Sequence, residues 1–318
     1  MSASVLRFIA CLMLLATAVP AMAGLKIVAT TGMVGDVAAQ IGGEHATVTT
    51  LCGEGVDPHL YTPRASDVRR IMAADLVLYN GLMLEGRMDE VFERAAEQGK
   101  LVRPVAEVLK KETLLADPEH EGHPDPHVWM DVRAWMQVAD GITKSMCEAD
   151  PANCAAYQAN AKVYKRKLDV LDNFVRNSLR SVPRNRRVLV TAHDAFSYFG
   201  RAYNIEVIGV QGINTESEAG LADVNGLVDI LVEQKIPAVF VESSVSDKYV
   251  RALIEGAAAR GHTVTVGGEL FSDAMGKPGT REGTYMGMMA HNGETITKAL
   301  GGIVPFVAGV NNHDATGH

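Results

Sequence analysis

Apolar residues recur along this chain in two alternating patterns. Short runs rich in β-branched residues predict strands, and longer runs with apolar residues at steps of three and four predict helices. The predicted strands cover 25–30, 46–51, 75–79, 187–191, 206–210, 238–242 and 263–266. The predicted helices cover 32–41, 66–73 (with Ser66 as its cap), 88–98, 197–203, 223–234, 247–260 and 285–300. This alternation predicts parallel sheets covered by helices on both faces.

One run is much longer than the others and has no internal glycine or proline. It covers 151–181, and its apolar residues lie along one helical face. At ~1.5 Å per residue, a helix of this length would be about 45 Å long. We therefore predict an α/β protein of two lobes, each a mainly parallel sheet flanked by helices, joined by one long rigid helix. The predicted divisions are lobes at 24–150 and 182–310, a connector at 151–181 and a polar tail at 311–318.

The first 23 residues have the pattern of a secretory signal peptide. Arg7 precedes an apolar run at 8–19 that is too short to span a bilayer comfortably, and Ala21–Ala23 forms a small-x-small cleavage site. Cys11 resembles a lipoprotein site, but the positive region before it would be very short. We therefore expect residues 1–23 to be removed and the mature protein to be soluble in the periplasm.

Charge and composition narrow the class of protein. The chain is 47% hydrophobic and 21% charged, which is typical of globular proteins. The formal net charge is −8 at pH 7 and becomes −9 when the signal peptide, with its single arginine, is removed. An acidic chain of this kind has no basic footprint for nucleic acid. We expect a monomer that binds no nucleic acid.

Three of the four cysteines remain after cleavage of the signal peptide. Cys147 and Cys154 are separated by a segment that contains a turn, so they can form a local disulfide in an oxidising compartment. Cys52 is then left over, and we expect a buried thiol there. The spacing of the three cysteines is not that of a zinc site.

The tripeptide Asp-Pro-His occurs twice, and each copy ends in a candidate metal ligand, His59 and His127. Proline fixes its own φ and restricts the residue before it, so both imidazoles are presented from stiff turns. In the second half, His193 and Asp273 each follow a predicted strand. Ligands of parallel sheets bind beyond the carboxyl ends of strands, so two lobes facing across a cleft would bring the four groups together.

Three imidazoles and a carboxylate suit Zn²⁺ and several other divalent transition metals. For each histidine taken alone, the alternative is a hydrogen-bonded structural residue. The stretches around these residues resemble the metal-specific solute-binding proteins of ABC transporters, the ZnuA and TroA-like family (cluster A-I). The matching stretches follow one another along nearly the whole mature chain: 57–63 with Asp67, 80–85, 125–131, 191–199, 240–244, 268–276 and 283–292.

The resemblance implies two α/β lobes joined by a rigid helix, with a metal bound between them. It implies that the ligands are His59, His127, His193 and Asp273, and that the metal is handed to a membrane permease. Manganese-dedicated relatives tend to have a glutamate where this chain has His193. Because imidazole is a softer donor than carboxylate, we expect zinc, with manganese or iron as alternatives on the same scaffold.

Two further features bear on metal chemistry. The loop at 117–126 is short where many zinc-uptake relatives have a long loop rich in histidine and aspartate. We interpret its His120 and His123 as part of a solvated turn, with an auxiliary metal contact as the alternative. Glu242 ends a central strand, where it could act as a general base beside a zinc-bound water or could orient a ligating histidine.

We favour the orienting role for Glu242 and expect no enzyme activity. Four protein ligands close a tetrahedral zinc site, and the chain lacks both His-Glu-x-x-His and a nucleophile elbow. A zinc hydrolase remains the first alternative, and an adhesin or signalling receptor on the same scaffold is the second. The long connector predicts small lobe motions, with metal release by local rearrangement of loops.

Overall fold

The structure is a computed structural model that describes residues 24–118 and 120–311. The signal peptide predicted at 1–23 lies outside the described residues, as does all but the first residue of the predicted polar tail. Within the described ranges, no helix is both long enough and apolar enough to cross a membrane.

The first lobe is built on one parallel sheet of four strands with the order β2-β1-β3-β4. Its strands are β1 (Leu25–Ala29), β2 (Ala46–Thr50), β3 (Leu76–Tyr79) and β4 (Leu101–Pro104). Its helices are α1 (Gly32–Gly42), α2 (Ala65–Ala73), α3 (Asp89–Glu97) and α4 (Val132–Ala149). The two central strands, β1 and β3, are largely buried by apolar side chains on both faces, as expected for a parallel sheet between helices.

The second lobe repeats the parallel arrangement in two strand pairs that lie side by side. The pairs are β5 (Val188–His193) with β6 (Glu206–Gln211), and β7 (Ala238–Glu242) with β8 (Thr265–Leu270). The helices are α6 (Ser197–Tyr203), α7 (Leu221–Glu233), α8 (Lys248–Ala259) and α9 (Tyr285–Ala299). Because β5 lies against β7, the carboxyl ends of these two strands meet at one edge.

The long helix α5 (Cys154–Ser181) runs between the lobes and follows a short 3-10 turn at Pro151–Asn153. It packs against α1 and α4 of the first lobe and against α6 and α9 of the second. Its 28 residues correspond to a length of about 42 Å. Its buried face includes the residues predicted from helical spacing: Tyr157, Ala161, Tyr164, Leu168, Leu171 and Val175.

Polar contacts also join the lobes close to the helix. The backbone N–H of Tyr285 donates to Asp36 at 3.1 Å, and the hydroxyl of Tyr285 donates to the Trp129 carbonyl at 2.7 Å. The indole of Trp129 in turn donates to the Ser272 carbonyl at 3.0 Å. Apolar residues from both lobes also form one continuous core beside these contacts.

Several local predictions need correction. Strand β4 and helix α4 were not predicted. Ser66 is not the cap of α2, because the helix begins at Ala65 and Arg64 is the residue in the cap position. The backbone N–H of Arg64 donates to the Asp67 carboxylate at 2.9 Å. His193 is the last residue of its strand, although it was placed just beyond it. The last strand begins and ends later than predicted.

A disulfide joins Cys147 near the end of α4 to Cys154 at the start of α5, and Cys52 is a buried free thiol. We expect the free energy of unfolding of the double variant Cys147→Ser/Cys154→Ser to be about 2.5 kcal/mol lower than that of the wild type. The disulfide restricts a short loop of the unfolded chain, and its removal raises the entropy of that unfolded chain. Denaturant unfolding measures this change. Metal affinity should stay at the wild-type value, and a drop in affinity would contradict a purely local role.

Candidate metal centre

The four candidate ligands meet at the junction of the lobes. His59 lies between β2 and α2, His127 precedes α4, His193 ends β5, and Asp273 follows β8. One nitrogen or oxygen of each side chain lies within 4.8 Å of the corresponding atoms of the others. His59 is 6% exposed and the remaining three are at 0 or 1%.

The spacing of the donor atoms fits a single cation. Nε2 of His59 lies 3.3 Å from Nε2 of His127. The two oxygens of Asp273 lie 3.3 Å from Nε2 of His127 and 3.1 Å from Nε2 of His193. Ligands at about 2.0–2.1 Å from a tetrahedral zinc ion would be roughly 3.3 Å apart.

The electrostatics of Asp273 also suit a cation. Among the described residues, no hydrogen bond satisfies either carboxylate oxygen, although the side chain is 1% exposed. In the free protein the nearby imidazoles of His127 and His193 balance the charge of Asp273, and a divalent ion bound between these groups would take over that role. Because both oxygens face the centre, the carboxylate can offer one or two donors, which gives four or five in all.

The repeated Asp-Pro-His tripeptide is a local device that orients its histidine. In each copy the aspartate accepts the backbone N–H of the histidine, from His59 to Asp57 at 2.8 Å and from His127 to Asp125 at 2.9 Å. This is an Asx turn, in which the side chain substitutes for a backbone acceptor. Asp125 also lies 2.8 Å from Nδ1 of His127, so the opposite nitrogen, Nε2, faces the centre.

Glu242 orients the third histidine. One of its oxygens accepts the backbone N–H of His193 at 2.9 Å, and the other lies 2.5 Å from Nδ1 of the same residue. Both oxygens of this buried carboxylate are therefore directed at His193. The neighbouring Asp194 is not among the four grouped donors and accepts a hydrogen bond from the Ser197 hydroxyl at 2.8 Å.

Burial and mutual charge set the protonation of the free site. Burial lowers the pKa of His59 to about 3, so its imidazole stays neutral. Burial also acts to lower the pKa of His127, but Asp125 and Asp273 outweigh it and raise that pKa to about 9. Burial alone would raise the pKa of Asp273, yet His193 and His127 hold it well below its usual range. A metal therefore finds one ionised carboxylate and must displace protons from imidazole.

A strained turn supports the loop that carries His127. Gly81, Leu82 and Met83 all have positive φ, at 79°, 55° and 69°. The buried Glu85 holds this turn by accepting the backbone N–H groups of Asn80 at 2.8 Å and Gly81 at 3.1 Å. The side chain of Asn80 then donates to the Pro126 carbonyl at 3.1 Å, beside His127.

The other two candidate histidines lie outside this group of four. His120 and His123 are exposed, and they line a cleft of about 320 Å³ that leads to His59. Nδ1 of His120 lies 2.9 Å from the carboxylate of Asp117. Sequence reasoning missed the residues on the opposite wall of this cleft, Ile213 and Glu216, because only the fold brings them beside the first lobe.

Comparison with known proteins agrees with this geometry. Residues 27–299 match the sequence model of the family described as ZnuA, zinc-uptake complex component A, periplasmic. The manganese-binding lipoprotein MntA of Bacillus subtilis is 50% identical over 277 residues, which cover 87% of this chain and 90% of the relative. The zinc-binding protein TroA of Treponema pallidum is 46% identical over 274 residues, covering 86% and 88%.

The fold agrees as well. A solved structure of the periplasmic zinc-binding protein TroA from Treponema pallidum superimposes with a TM-score of 0.85 at 45% identity, covering 87% of this chain and 99% of that one. Both the sequence match and the structural match extend through both lobes. The chain therefore belongs to the ZnuA family of metal-binding, solute-binding proteins of ABC transporters.

Proposed function

We propose that this protein captures a divalent transition metal, with zinc favoured, and delivers it to the permease of an ABC transporter for import. The proposed ligands are His59, His127, His193 and Asp273. The observation that carries the proposal is the convergence of these four buried donors, two from each lobe, on one point. Three imidazoles with one carboxylate are a donor set that zinc accepts readily.

The same geometry favours capture over catalysis. The protein donors surround the centre, whereas catalytic zinc sites keep a position open for water. Glu242, the candidate base of a zinc hydrolase, is engaged through both oxygens with His193. It would therefore orient that ligand, and we propose that the protein has no enzyme activity.

The choice of metal needs two measurements. We expect calorimetry of the metal-free protein to show tighter binding of Zn²⁺ than of Mn²⁺, because His193 supplies a third imidazole. Most donor sets bind zinc more tightly than manganese, so affinity alone does not identify the cargo. Uptake of labelled zinc and manganese by cells with and without the protein completes the test. Loss of manganese uptake alone would overturn the zinc preference and leave the site intact.

We propose the predicted division of the chain as the working one, with lobes at 24–150 and 182–310 and the connector at 151–181. The mature protein would act as a monomer in the periplasm. Relatives named as lipoproteins, among them MntA of Bacillus subtilis, suggest lipid anchoring at Cys11 as the alternative. Mass analysis of the mature N-terminus separates cleavage before Gly24 from lipid attachment at Cys11.

A further inference from the structure

The loop that carries His59 is the accessible side of the proposed metal site. His59 is the most exposed of the four candidate ligands, and it alone among them lines the cleft between the lobes. A metal that enters or leaves along this cleft passes the loop at 57–60. What holds that loop in place therefore affects how fast metal exchanges.

One end of the loop is tied to the second lobe through Asp57. The Thr215 hydroxyl donates to one carboxylate oxygen of Asp57 at 2.6 Å. The other oxygen of Asp57 accepts the backbone N–H of His59 at 2.8 Å. The same carboxylate thus connects a threonine of the second lobe with the backbone of a proposed ligand in the first.

The other end of the loop is tied to the residue next to Thr215. Arg87 donates to the Leu60 carbonyl at 3.1 Å. Its guanidinium also pairs with Glu216 of the second lobe, with distances of 2.8 Å and 2.6 Å to one carboxylate oxygen. Two adjacent residues of one segment therefore hold the His59 loop on both sides of the imidazole.

We call this segment, residues 213–217, the strap. It is braced internally, since the backbone N–H of Glu216 donates to the Asn214 side chain at 2.9 Å. Gln211, at the end of β6, donates to the Ser217 carbonyl at 3.0 Å, and its backbone pairs with His193 in the sheet. The base of the strap is thus fixed to β6, which pairs with β5, the strand that presents another proposed ligand.

We propose that Thr215 and Glu216 are positioning residues that hold the His59 loop over the bound metal and set the rate at which metal leaves. The proposal rests on the proposed function, because it concerns retention at the same site. Thr215 carries the larger share, since a hydrogen bond to a partly buried carboxylate is stronger than a half-exposed ion pair.

The test is the rate of zinc release from the loaded mature protein into excess EDTA, measured where the rate no longer depends on EDTA concentration. Thr215→Val should release zinc about tenfold faster, and Thr215→Ser, which keeps the hydroxyl, should restore the wild-type rate. Glu216→Gln should release zinc about two- to threefold faster.

Two variants serve as matched controls and should release zinc at the wild-type rate. Thr265→Val removes a hydroxyl that donates to the Pro237 carbonyl near the opposite ends of the second-lobe strands. Glu148→Gln breaks the surface pair with Arg103 at 2.7 Å, whose exposure is similar to that of the Arg87–Glu216 pair.

A merely structural role for Thr215 would lower the free energy of unfolding and leave the release rate unchanged. If both Thr215→Val and Glu216→Gln bind zinc and release it at the wild-type rate, the proposed role of the strap is wrong and the proposed function still stands. Failure of the wild-type protein to bind zinc would overturn both. If Thr215→Val does not fold, the surface variant Glu216→Gln decides the question.

Discussion

Replacing His59 with alanine and replacing Asp273 with alanine are each expected to weaken zinc binding by at least about 100-fold, because loss of a direct donor should exceed the effect of losing a residue that orients one. The two residues belong to different lobes, but their donor atoms lie within 4.8 Å of each other. Neither lobe alone presents the full set. Competition against a chromophoric chelator measures the affinity of each variant.

The matched control is His262→Ala. Nε2 of His262 lies 2.8 Å from the Ile236 carbonyl in the second lobe, and the residue is not among the four grouped donors. Its affinity for zinc should equal that of the wild type. Full zinc affinity in both His59→Ala and Asp273→Ala would reject the shared site. Loss in only one of them would confine binding to a single lobe.

Glu242→Ala should lower zinc affinity by roughly 10- to 100-fold without removing any donor from the centre. The change leaves the backbone N–H and Nδ1 of His193 without their carboxylate, so the imidazole loses its fixed orientation. Glu242→Gln, which keeps one acceptor oxygen, should lose less. The same chelator competition measures both variants.

Glu294→Gln is the control for this second prediction, because Glu294 is also a buried glutamate of the second lobe but pairs with Arg281. It should bind zinc as the wild type does, even if it unfolds more easily. Zinc affinity unchanged in Glu242→Ala would show that the imidazole of His193 needs no orienting group. Ester or peptide turnover that disappears in Glu242→Gln would instead support the hydrolase alternative.

The parts of the site that depend on local sequence could be predicted. Asp-Pro-His is a self-contained turn in which the aspartate accepts a hydrogen bond two residues on, so its repetition was already visible at His59 and His127. The preference of parallel sheets for ligands at the carboxyl ends of strands predicted that His193 and Asp273 lie near these two histidines, and the donor atoms of all four lie within 4.8 Å of one another. Membership of the family and the parallel α/β lobes were also predicted and are confirmed.

What could not be predicted depends on distant contacts. Thr215 and Asp57 are 158 residues apart in sequence, and no local pattern links them. Strand β4 has only four residues, and two of them, Arg103 and Pro104, do not indicate a strand. The proline is tolerated because β4 lies at the edge of the sheet. In helix α4, Gly141 interrupts the helical signal. A Cβ there would lie 2.6 Å from the side chain of Val108, so the reason for glycine is tertiary packing.

The shared core of the two lobes has a consequence for the order in which the chain folds. Tyr285 of α9, close to the end of the described chain, contacts Asp36 across 249 residues and Trp129 across 156 residues of sequence. The first lobe therefore cannot complete its interior until α9 is present. Contacts of such long sequence separation slow folding. A chain still in synthesis thus stays incompletely folded until α9 has emerged, and neither half becomes a finished folding unit ahead of the other.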